Sequence, residues 1–157
     1  AQGEQLGGKG REAAAEAIEN NIRKKIVEKI LINPKYYEKM SAILDELIKA
    51  RREGAIAYEE MLAKYVNLVK NTENPENNPH YPESIRHSGA LRALFDNCGE
   101  DEALALALDK AVRESKQADF RHNEFKERRI KRALYNVLED KDEVERVYNI
   151  VVEQGEY

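Results

Sequence analysis

Ile18-Glu-Asn-Asn-Ile22-Arg-Lys-Lys-Ile26-Val-Glu-Lys-Ile30 places one isoleucine at every fourth residue. An α-helix turns about 100° per residue, so this spacing gathers the four on one slowly drifting face that can be buried. Asn33-Pro34 then supplies an N-cap followed by a proline at the first helical position, where the missing amide hydrogen costs nothing. The helix it opens carries Tyr37, Met40, Leu44, Leu47 and Ile48. Gly54 breaks the pattern before a third helix with Tyr58, Met61, Leu62, Tyr65 and Val69.

Beyond residue 70 the spacing is interrupted. Pro75, Pro79 and Pro82 exclude an uninterrupted helix across 71–87, the longest internal loop. Ser88 can cap a short helix with Leu91, Leu94 and Phe95 inward, closed at Asn97 to Gly99. Asp101 can cap another with Leu104, Leu108, Ala111 and Val112, and two more follow over about 123–138 and 142–154. No segment alternates as a strand does, and no internal repeat is evident. The pattern predicts an all-α fold, a single compact bundle of six to seven helices. Residues 1–11, with Gly3, Gly7, Gly8 and Gly10, read as a flexible lead-in, and 12–157 as the helical domain.

Composition agrees with one folded domain. The 157 residues leave room for one sizeable core, and 41% hydrophobic residues can fill it. Charged residues make up 36%, but proline is scarce and the periodicity is strong, so the charges read as solvated helix faces. A net charge of -4 argues against a dedicated basic nucleic-acid module and leaves room for a local basic face. The single cysteine, Cys98, has no partner for an intramolecular disulfide. No apolar run is long enough for a membrane span or a signal-peptide core, so no membrane partner is expected and the expected compartment is the cytoplasm.

Several chemistries are disfavoured by the residues themselves. Gly3-Glu-Gln-Leu-Gly-Gly-Lys9-Gly10 nearly spells a phosphate loop, but Gly10 stands where a hydroxyl should bind magnesium and no strand can lead in. His80, His87, His122 and Cys98 match no compact zinc spacing, so neither a metal nor another cofactor is expected. Glu59-Glu60 and Glu100-Asp101-Glu102 fit the first turns of helices, where negative charge meets the positive end of the dipole. No catalytic residue is assigned.

The sharpest local feature runs from Phe120 to Tyr135. Arg121, Lys126, Arg128, Arg129, Lys131 and Arg132 oppose only Glu124 and Glu127. With Ile130, Leu134 and Val137 inward, the cations form an outward ridge, suited either to phosphate contact on a DNA backbone or to simple solvation of the helix. Phe125 falls among the arginines and Tyr135 near the far border of that face. They are candidate docking aromatics, with a packing contact against a neighbouring loop as the other reading of Phe125.

Tyr81-Pro-Glu-Ser-Ile85, with Gly89-Ala-Leu-Arg-Ala-Leu-Phe-Asp-Asn97 after it, resembles the signature of the helical domain that closes the R (restriction or motor) subunit of type I restriction-modification enzymes. Ala15-Glu-Ala-Ile-Glu-Asn-Asn-Ile-Arg-Lys-Lys-Ile26, Asn33-Pro-Lys-Tyr-Tyr-Glu-Lys-Met40, Glu114-Ser-Lys-Gln117 and Phe125-Lys-Glu-Arg128 fit in the same order, from about Ala13 to Tyr157. The resemblance implies an assembly domain of a bacterial cytoplasmic enzyme, with three kinds of partner. These are the methyltransferase and specificity subunits, the motor domains of its own chain, and the duplex DNA backbone. It also makes Tyr81, Pro82 and Ser84 docking candidates, although the same loop can simply pin itself to the core through the extended approach that Pro82 imposes and a turn capped by Ser84. ATP and Mg2+ would serve the intact enzyme in translocation and cleavage, on domains absent here. Two other classes stay open: a free-standing helical adaptor that binds protein and no DNA, and a helical hydrolase with convergent, desolvated carboxylates in a cleft.

Overall fold

The structure, a computed structural model, describes the backbone of residues 2–157 and the side chains of residues 8–157. Every regular element among them is helical: α1 (Gln2–Lys29), α2 (Pro34–Arg52), α3 (Tyr58–Glu73), α4 (Glu83–Arg86), α5 (Gly89–Asn97), α6 (Glu102–Ser115), α7 (Glu124–Leu138) and α8 (Lys141–Val151), with a 3-10 turn at Pro75–Asn77. The all-α expectation holds. The helix count among the described residues is eight, because the proline-rich segment contains α4. Pro82 opens that single turn from extended backbone, and the buried Ile85 anchors it.

The glycine-rich start is taken into α1. Ala1 lies outside the described residues, and from Gln2 onward the backbone is already helical and continuous with the alanine-rich turn at Ala13–Ala15. Each glycine weakens a helix by up to about 1 kcal/mol relative to alanine, a local cost that strong helix formers downstream offset. The near-miss phosphate loop therefore sits on helical backbone.

By its contacts the chain divides into two compact units. One comprises the chain up to Ile30 together with Tyr37–Pro75; the other comprises Leu31–Tyr36 and Glu76–Tyr157. In the first unit α1 packs on α3. Ile22 and Ile26 are buried while Ile18 and Ile30 are only half-buried, as expected when a four-residue spacing drifts about 40° per step. Met40, Leu44 and Leu47 of α2 and Met61, Tyr65 and Leu68 of α3 are also buried. In the second unit α6 packs on α5 and α7, α7 on α8, and α4 on α5 and α6. Leu94, Leu108, Val112, Ile130, Leu134 and Val147 belong to its core.

Helix ends follow local chemistry. Asn33, Ser88, Asp101, Asn123 and Asp140 each accept a backbone N–H from three residues on, at the starts of α2, α5, α6, α7 and α8. Gly54, at φ +66°, closes α2 with paired bonds from Gly54 N to Arg51 O and from Ala55 N to Ala50 O, and this settles the break before α3. Glu59 and Glu60 occupy the first turn of α3, as read from the sequence.

Candidate functional site

A polar cluster in the second unit joins three separated stretches of sequence. Asp96, on the last turn of α5, is only 6% exposed. Its Oδ2 accepts from Asn33 Nδ2 at 2.8 Å and from the Tyr81 hydroxyl, while its Oδ1 faces His80 Nε2 at 2.8 Å. Asn97 Nδ2 donates to Asn33 Oδ1 at 2.8 Å. His80 lies over Tyr81, ring centroids 3.8 Å apart, with Tyr36 and Phe95 around them. Burial, reinforced by the Asp96 carboxylate, pushes the Tyr81 phenol far above its ordinary range, so it remains a donor. Glu100, just past the end of α5, brings a carboxylate oxygen within 4.8 Å of the ligand atoms of His80 and Asp96.

Tyr81 is thus not a docking side chain: it is 2% exposed and committed to Asp96. Pro82 is half-buried at the start of α4, and Ser84 is exposed. Ser84 caps no turn, since Pro82 holds the N-cap position of α4 and the Ser84 hydroxyl instead donates to Glu102 Oε1. Arg86 fastens this loop with bonds to the carbonyls of Glu76 and Tyr81. Of the loop's three candidates, only Ser84 offers an exposed side chain.

The basic residues are divided by their neighbours. Arg121 is withdrawn from the surface ridge: its guanidinium donates to the carbonyls of Val152 and Gln154, both at 2.8 Å, and it stacks on Phe120. Lys126 donates to the Ala118 carbonyl. Lys131 pairs with Glu145 at 3.0 Å and sits over the Tyr148 ring. Arg128, Arg129 and Arg132 remain exposed, Arg128 within 3.7 Å of Glu124 and over the Phe125 ring. Phe125 is 81% exposed and Tyr135 43%, so the aromatic among arginines projects outward and makes no packing contact that hides it.

The remaining histidines and Cys98 do not converge. His87 pairs with Glu83 on the surface at 2.9 Å, His122 is exposed, and Cys98 is half-buried at the end of α5, where burial raises its thiol. The hydrolase reading gains nothing from the groove between α2 and α3. That space, about 640 Å³, is lined by Ile43, Leu47, Ile56 and Leu68, and its two carboxylates, Glu46 and Glu60, are exposed. No helix among the described residues is long and apolar enough to cross a membrane. Sequence spacing missed the grouping of His80 with Asp96 and Glu100, because the histidine comes from a loop and the carboxylates from a helix end. Set against protein-family models, curated proteins and solved structures, the chain has no match in any of the three.

Proposed function

We propose that this chain is the C-terminal helical domain of a type I restriction enzyme R subunit, joining the motor to the methyltransferase and specificity subunits. The observation that carries the reading is the convergence of the stretches on which the resemblance rests. Asn33 from the Asn33–Met40 stretch, Tyr81 from the Tyr81–Ile85 stretch, and Asp96 and Asn97 from the Gly89–Asn97 stretch form one hydrogen-bonded cluster. Residues quoted for a resemblance belong together when one fold needs all of them. In this reading the domain catalyses nothing alone, and ATP-driven translocation and Mg2+-dependent cleavage belong to other domains of the intact enzyme.

The docking surface is then the outward ridge of α7, with Phe125 and Tyr135 as its aromatic anchors and Arg128, Arg129 and Arg132 as its cations. Exposed aromatics beside arginine are the residue types on which binding energy concentrates. The test is association of the chain with a purified methyltransferase–specificity core, followed by interferometry. Phe125→Ala combined with Tyr135→Ala is expected to weaken binding about tenfold or more, the scale of a lost aromatic anchor. Unchanged binding would remove α7 as the docking face, and no association with the core would remove the assembly reading.

A second reading, a helical adaptor without DNA contact, is favoured by one specific observation. Arg121, Lys126 and Lys131 are already engaged within the second unit, which leaves half of the basic candidates for phosphate.

A further inference from the structure

We propose that His80, Asp96 and Glu100 form a binding site for a divalent transition-metal ion, with zinc the best-fitting member. The site stands apart from the α7 ridge. It begins with a donor count. His80 Nδ1 lies 2.8 Å from Asn78 Oδ1, and Nε2 lies 2.8 Å from Asp96 Oδ1. The amide of Asn78 is oriented by two further contacts. Its Oδ1 also accepts the His80 backbone N–H at 3.3 Å, while its Nδ2 faces the Tyr36 hydroxyl at 3.5 Å. Both ring nitrogens therefore face acceptors, and a neutral imidazole carries only one N–H. With that hydrogen on Nδ1, directed at Asn78, Nε2 presents a lone pair to a carboxylate. In that tautomer Nε2 and Asp96 Oδ1 form a ligand pair that a metal ion can bridge.

The surroundings favour a metal. A ligating histidine ordinarily donates its other ring N–H to a carbonyl or carboxylate oxygen, which fixes the tautomer, and Asn78 does this here. A ligating carboxylate is ordinarily held through its second oxygen, and Asp96 Oδ2 is held by Asn33 and Tyr81. Glu100 is exposed and supplies a third oxygen from the loop after α5, where Gly99, at φ +75°, turns the chain. All three ligand atoms lie within 4.8 Å of one another. Zinc bonds of about 2.1 Å in a tetrahedron separate ligand atoms by about 3.4 Å, so His80 and Asp96 need to part by about half an ångström and the Glu100 oxygen to close by up to about 1.4 Å. A quarter of the His80 side chain is exposed, which gives an ion a path to the site. One nitrogen and two carboxylate oxygens suit zinc, cobalt(II) or manganese(II), and solvent would occupy the fourth position.

Cobalt(II) and zinc(II) would be titrated into the chelator-treated chain carrying Cys98→Ser and His87→Gln, which removes the thiol and the surface His87–Glu83 pair as competitors. The expected result is saturable one-to-one binding, with the intense visible absorption of low-coordinate cobalt displaced by zinc. Excess zinc is expected to raise the melting temperature by about 5 °C or more. Glu100→Gln alters an exposed ligand and is expected to keep the helical circular-dichroism spectrum while weakening affinity at least about tenfold. His80→Gln should abolish the cobalt band. Absence of one-to-one binding would overturn the proposal. Binding that survives Glu100→Gln and His80→Gln unchanged would overturn it equally, as adventitious surface binding.

Discussion

Glu19 is a carboxylate inside a helical core, only 5% exposed. Arg51 grips it with two nitrogens at 2.6 and 2.8 Å, and the Tyr65 hydroxyl donates to it as well. Burial works against the charge, but these donors outweigh it and hold Glu19 below its usual value of 4.5. The same contact, with burial the larger cause, raises the Tyr65 phenol. A carboxylate depressed on folding contributes stability that is fully present above about pH 4.5 and is lost as the pH falls through its folded value. Urea unfolding midpoints of the native chain should therefore drop more steeply below pH 4.5 than those of Glu19→Gln, which has no such proton to take up. Parallel declines would show that other carboxylates dominate acid unfolding.

Several helices share a starting device, and three end in left-handed backbone. Side-chain oxygens of Ser88, Asp101, Asn123 and Asp140 cap the starts, each worth about 1 kcal/mol against alanine. At the ends of α2 and α5, Gly54 and Gly99 take the left-handed backbone without steric cost. Helix α7 ends in the same conformation on an exposed glutamate, Glu139 at φ +55°, whose N–H bonds to the Tyr135 carbonyl at 2.8 Å. A side chain there costs about 1–2 kcal/mol, and glycine returns part of that through greater freedom in the unfolded chain. Glu139→Gly is expected to stabilise the chain by about 0.5–1 kcal/mol, read as a melting temperature higher by about 1–4 °C. A lower melting temperature would mean that the Glu139 side chain itself contributes more than the backbone gains.

The chain as a whole carries a net charge of -4, yet α7 concentrates arginine on one exposed side. Counterion release makes affinity for duplex DNA fall with salt in proportion to the phosphates neutralised, by about 0.9 log unit per contact per log unit of salt. With Arg121, Lys126 and Lys131 engaged internally, only Arg128, Arg129 and Arg132 would count. Fluorescence anisotropy on sequence-scrambled duplex should give a slope no steeper than about -3, against about -5 for all six cations. Binding should vanish in Arg129→Glu/Arg132→Glu. A slope near -5 would mean that the internal pairs open on DNA, and no binding at low salt would leave assembly without DNA contact.

Most of the helical architecture was legible in the residues because helix formation is a short-range event. Hydrogen bonds and side-chain neighbours lie three or four positions apart, so the isoleucine spacing, Asn33-Pro34, Ser88, Asp101 and Gly54 each announced a local outcome. Where local preferences conflicted, the residues alone left the outcome open. Glycines near the start did not prevent a helix, and a turn formed after Pro82. The candidate sites depended on distance in sequence, which spacing does not encode. Arg121 meets carbonyls 31 and 33 residues away, and Tyr81 and His80 meet Asp96 across 15 and 16 residues. The sequence by itself determined that this chain is helical and where most of its helices start and stop. Only the tertiary structure decided which cations stay exposed and which carboxylates His80 faces, because packing sets those distances.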